Sequence, residues 1–160
     1  MGAILGLETI TGQTPPKWFS RTDTKQLLSH LTELRWKSST EELVKLKDHL
    51  GADLEPLGKI ASEQEPLESF MARDPSPERE MFWHEKHAEY EAAWQEPGVL
   101  ASTIKAFLIA LQDGPNAYAS LGIEDPYFTE GFFEQDLRDL LAMSEWARDQ
   151  GIPKARLFES

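Results

Sequence analysis

Cysteine is absent from this chain, which removes disulfide frameworks, thiolate metal sites and cysteine nucleophiles together. Nothing then ties the protein to an oxidising compartment, and a cytoplasmic location is expected. Long apolar runs are missing as well. The longest, Val99 to Leu111, is broken by Ser102, Thr103 and Lys105, short of the roughly eighteen apolar residues that a membrane span requires. It is expected as a core helix. The segment Met1 to Ile10 lacks a basic flank and carries Glu8, so neither a cleaved signal peptide nor a membrane partner is expected.

Basic charge is scarce: 16 Lys and Arg stand against 28 Asp and Glu, a formal net charge of -12. Phosphate backbones are repelled by such a surface, so nucleic acid is not an expected partner. Signature motifs are missing too. The Gly-x-Ser-x-Gly elbow, the Walker phosphate loop and the Gly-x-Gly-x-x-Gly dinucleotide turn do not occur, and the ten glycines are dispersed. No cofactor is expected, and a non-enzymatic role is favoured over an enzyme.

What remains is enough for a real core. A chain of 160 residues with 40% hydrophobic content, eight Phe and five Trp is compatible with one folded domain spanning 1–160 and argues against disorder. Its charge is uneven. Residues 48–96 hold thirteen acidic and four basic side chains, whereas residues 1–47 hold five acidic and seven basic ones.

Helical periodicity dominates the pattern, and the fold class expected is mainly α: about five to six helices, with a small two-stranded ribbon formed by the terminal segments 3–10 and 154–158. Gly12, Pro15 and Pro16 end the first segment, and Trp18 and Phe19 are expected to dock the loop that follows. Leu27, Leu28, Leu31 and Leu34 mark a helix from about Asp23 to Lys37. Ser39-Thr40-Glu41-Glu42 reads as a capping box, Leu43, Leu46 and Leu50 as the buried side of a second helix, and Gly51 as its stop. Residues 51–65 are less regular, with single anchors at Leu54, Leu57 and Ile60, and a short helix is expected from Pro66 to Arg73.

Ser76, Pro77 and Glu78 carry the cap, the fixed φ and the negative charge of a helix start, for a helix running to Glu96. Val99 to Leu111 is apolar on nearly all faces and is expected at the centre. After a break at Asp113-Gly114-Pro115-Asn116 and an aromatic connection, Thr129 is placed to cap a last long helix that ends at Gly151 and Pro153. No fixed-period repeat and no separating linker are seen.

The helix from Ser76 concentrates the chemistry. Glu80, His84, His87 and Glu91 fall at i, i+4, i+7 and i+11, within about 60° of one another around the axis. Two imidazoles flanked by two carboxylates suit a divalent metal or proton transfer. The spacing nevertheless misses known signatures: His84-Glu85-Lys86-His87 is one residue short of His-Glu-x-x-His, and Glu-x-x-His is absent. Plain ion pairs, Glu80 with His84 and His87 with Glu91, account for the same spacing. Offset by about 70° lie Trp83, Tyr90 and Trp94, ordinarily core but also the makings of an interface if exposed beside acidic residues.

Two functional readings follow. The favoured one is an acidic protein-binding module, of the inhibitor or immunity type, using Glu78, Glu80, Trp83, Glu85, Glu89, Tyr90, Glu91 and Trp94 to engage a partner protein with a basic surface, or a second copy of itself as a homodimer. Concentrated carboxylates otherwise serve as a solvated, solubilising face. The alternative is a metal-dependent helical enzyme using Glu80, His84, His87 and Glu91, joined by His30 or His49 from a neighbouring helix.

Overall fold

A computed structural model describes residues 4–16, 24–36, 41–114 and 116–160. The expected docking of Trp18 and Phe19, the Asp23 and Lys37 helix limits, the Ser39 cap and Pro115 lie outside the described residues. The chain is mainly helical with a small sheet built around its terminal segments. In order, the elements are β1 (Leu5–Thr9), α1 (Lys25–Trp36), α2 (Glu42–Leu50), a 3-10 turn (Glu55–Gly58), β2 (Ile60–Ser62), α3 (Leu67–Arg73), α4 (Pro77–Ala92), α5 (Pro97–Asp113), α6 (Ala117–Ser120), α7 (Pro126–Thr129), α8 (Phe132–Asp149) and β3 (Ala155–Glu159).

The terminal ribbon forms as expected: β1 and β3 pair antiparallel, with Leu7 opposite Leu157. Alternation along β1 buries Leu5, Leu7 and Thr9 and leaves Gly6 and Glu8 toward solvent. A third strand was not expected. Residues 60–62 join β3 in parallel, Ile60 opposite Leu157, giving the order β1-β3-β2. Thr24, just before α1, fixes the other side of β1, because its hydroxyl accepts from the Leu5 amide at 2.8 Å.

The helices follow their apolar spacing. Leu27, Leu28 and Leu31 of α1 and Leu43, Val44 and Leu46 of α2 are buried, and Gly51 ends α2 at φ +64, a conformation that costs glycine little. At the start of α2 the capping position belongs to Glu41, so Glu42 is the first helical residue and not the third residue of a capping box. Helix α8 also starts differently. Thr129 closes α7, and Gly131 at φ +85 precedes α8; the tight reversal between two helices needs a left-handed residue, which threonine supplies poorly.

Helices α5 and α8 pack along each other at the centre. Leu100, Ile104 and Phe107 of α5 meet Phe133, Leu137 and Leu140 of α8 in the same buried cluster, where the Phe107 and Phe133 rings stand edge to face at 6.2 Å. Although α5 is apolar on nearly all faces, its Val99 and Ile109 side chains are exposed. Helix α8 and the turn Glu55–Gly58 cover only part of its circumference. No helix among the described residues is long and apolar enough to cross a membrane.

Candidate functional site

Helix α4 begins where the sequence places it. Ser76 is extended, its hydroxyl accepts from the Arg79 amide at 3.2 Å, and Pro77 occupies the first helical position. Its end is earlier than expected, at Ala92, because Gln95 leaves the helical path to exchange backbone hydrogen bonds with Ala155 at 2.8 and 2.9 Å. A β-bridge to the middle strand thus outcompetes another helical turn.

Helix α4 lies on the surface against α3 and β2, and none of its side chains is fully buried. One side faces the body. Trp83 donates its indole N–H to the Glu65 carbonyl (2.9 Å), the Gln64 amide donates to the Trp83 carbonyl (3.0 Å), and the Ser62 hydroxyl donates to the Tyr90 phenol oxygen (2.9 Å). Gln64, Trp83 and Tyr90, together with Glu63, Glu65, Phe70, Phe82 and Lys86, line a cleft of about 210 Å³.

The two cations of α4 also turn inward. Arg79 stacks over the Phe70 ring at 4.0 Å and donates to its carbonyl, while Lys86 reaches Glu89 at 3.3 Å, whose other oxygen takes Arg35 of α1 at 3.1 Å. The outer side is left to Glu78, Glu80, Glu85 and Glu91, which are exposed, as are Met81 (63%) and Phe82 (52%).

The eight proposed interface residues therefore divide. Glu78, Glu80, Glu85 and Glu91 share the outer surface; Trp83 and Tyr90 meet in the cleft; Glu89 is held by Arg35 and Lys86; and Trp94 lies under the Arg156 guanidinium at 4.1 Å, in the segment after the helix. Met81 and Phe82 were missed. Their signal was legible: about 100° and 200° around the helix from Glu80, they fall outside both the polar stripe and the tryptophan stripe.

The polar stripe does not converge as a metal site would. Glu80 approaches His84 at 3.8 Å, but His87 stacks on Trp83 (5.0 Å, planes 8° apart) and its Nδ1 lies 3.3 Å from the Gln64 side-chain oxygen. His49 is exposed at the end of α2. His30 joins a different set. Its neighbours are Glu33 and Glu42, where burial pushes the Glu33 carboxyl above its ordinary value, His30 opposes that, and Glu41 and Glu42 add to it.

Comparison with known proteins finds no family model, no curated protein and no solved structure that matches this chain.

Proposed function

We propose that the chain is a protein-binding module whose outer α4 face engages a basic surface on a partner protein. The observation that carries this reading is the exposure of Met81 and Phe82 on a helix that presents Glu78, Glu80, Glu85 and Glu91 outward while its own cations fold back onto Phe70 and Glu89. Exposed apolar side chains beside carboxylates are the make-up of an interface core and rim, with Met81 on the outer face and Phe82 at the mouth of the cleft, where Lys86 lies 5.9 Å from its ring. The carboxylates speed encounter with a cationic surface, and the anchors set the dissociation rate.

A basic partner fits this face better than a second copy of the chain. In a two-fold dimer built on α4, the same four carboxylates would oppose themselves across the interface, and like charges brought together cost affinity. Covering a basic functional site on another protein is the inhibitor or immunity-type use of such a face.

The test uses the immobilised chain, lysate of the source cells and two sets of variants. A specific partner should be retained at low salt, released at high salt, and bound with a slower association rate by Glu78→Lys/Glu85→Lys and a faster dissociation rate by Met81→Ala/Phe82→Ala. Identical capture by the wild type and both double variants removes the reading. So does sedimentation of the purified chain as a dimer that the same substitutions dissolve.

A further inference from the structure

Between α1 and α2 lies a donor cluster built from residues that the α4 face does not use. The His30 ring stacks on Tyr127 (centroids 5.6 Å apart, planes 9° apart) and stands edge-on to Phe128 at 4.8 Å, so packing fixes its orientation. One turn along α1, Glu33 brings Oε1 to 2.8 Å from the His30 Nδ1. Glu42, in the first turn of α2, completes a group in which one donor atom from each residue lies within 4.8 Å of the other two.

This group is sheltered: 12% of the His30 side chain and 14% of the Glu33 side chain are exposed. The second Glu33 oxygen is buried and has no hydrogen-bond partner among the described residues. A buried carboxylate oxygen with no donor among the described residues, and with Glu41 and Glu42 nearby, is unfavourable unless a proton or a bound cation neutralises it.

We infer that His30, Glu33 and Glu42 form a binding site for one divalent first-row transition ion. One imidazole and two carboxylates match the nitrogen and oxygen preferences of zinc, iron and manganese, whereas magnesium and calcium favour oxygen alone. The rings of Tyr127 and Phe128 supply an apolar wall that holds the nitrogen ligand in place. Three protein ligands leave room for water or an exogenous group on the ion.

The site stands independently of the α4 reading and is tested without it. Protein purified without a histidine tag and stripped with chelator is titrated calorimetrically with zinc, manganese and magnesium chlorides, and with cobalt by visible absorption. One transition ion per chain is expected, with magnesium much weaker. Affinity should fall at least about tenfold in His30→Gln and in Glu42→Gln and stay unchanged in His84→Ala/His87→Ala. Circular dichroism checks that each variant is folded. If His30→Gln is not folded, Glu42→Gln, which alters a half-buried side chain near the surface, decides the matter. Absence of stoichiometric transition-metal binding, binding that survives the folded cluster variants, or binding that vanishes with the α4 histidines would overturn the assignment.

Discussion

Arg156 and Glu8 are 148 residues apart in sequence and meet at 3.2 Å, joining the last strand to the first. The same guanidinium donates to the Tyr90 carbonyl at 2.8 Å and lies 4.1 Å above the Trp94 ring. One largely buried side chain therefore pins β1, β3 and the end of α4 to each other.

Replacing it should cost more than an exposed ion pair does. Arg156→Ala removes a charge-assisted hydrogen bond to a carbonyl and a cation–aromatic contact, and is expected to destabilise the fold by about 2–4 kcal/mol. Arg156→Lys keeps the charge without the planar fork and should fall between. Urea unfolding measures both. A loss below about 0.5 kcal/mol in Arg156→Ala would show that these contacts add nothing.

A second polar contact lies within the core. The Tyr127 phenol donates to Asp136 Oδ2 at 2.8 Å, with both residues buried. Tyr127→Phe deprives a buried carboxyl of one donor while keeping the ring that packs on His30 and Phe133. We expect about 1–3 kcal/mol lower stability by urea unfolding, with little change in the slope of the transition. A neutral substitution would mean that Asp136 is satisfied equally well without it.

Alkaline pH isolates a third residue. Burial first, and then Glu134, whose Oε2 accepts from the Tyr118 phenol at 3.3 Å, push Tyr118 above its ordinary value of 10.0. The folded phenol keeps its proton where the unfolded chain loses it, so its contribution is complete below pH 10 and declines as pH rises further. The stability of wild type relative to Tyr118→Phe should be constant to about pH 9 and then shift steadily in favour of the variant toward about pH 11. A flat difference across that range would contradict the shift.

The legible parts of this fold are those set by neighbours in sequence. Leu27, Leu28 and Leu31 declare α1 through their spacing, Gly51 closes α2, and Ser76-Pro77 opens α4 because cap, fixed φ and first-turn charge coincide. The departures come from distant partners. Ile60–Ser62 is too short for any period to register and is a strand because β3 lies beside it. Gln95 leaves the helix for Ala155, sixty residues downstream, which no local preference announces.

The same division separates the two candidate sites. The carboxylates of α4 share one helix, so spacing could place them together, but which faces are exposed depended on α3 and β2. The cluster of His30, Glu33 and Glu42 spans two helices, and its third member is set by how α2 turns back on α1. Linear spacing carries no information about that meeting.

The strand order gives the sheet a timetable. β3, the latest of the three strands in the chain, is the middle one, and both β1 and β2 bond to it and not to each other. As the chain leaves the ribosome, more than a hundred residues separate the arrival of β1 from that of its partner. Until residues 155–159 emerge, β1 and β2 are two unmatched edges open to other chains, while the local contacts of α1 and α2 are already available. The sheet is therefore a lock that closes only with β3, and a ribosome stalled before residue 155 would leave a largely helical body with β1 and β2 unfastened.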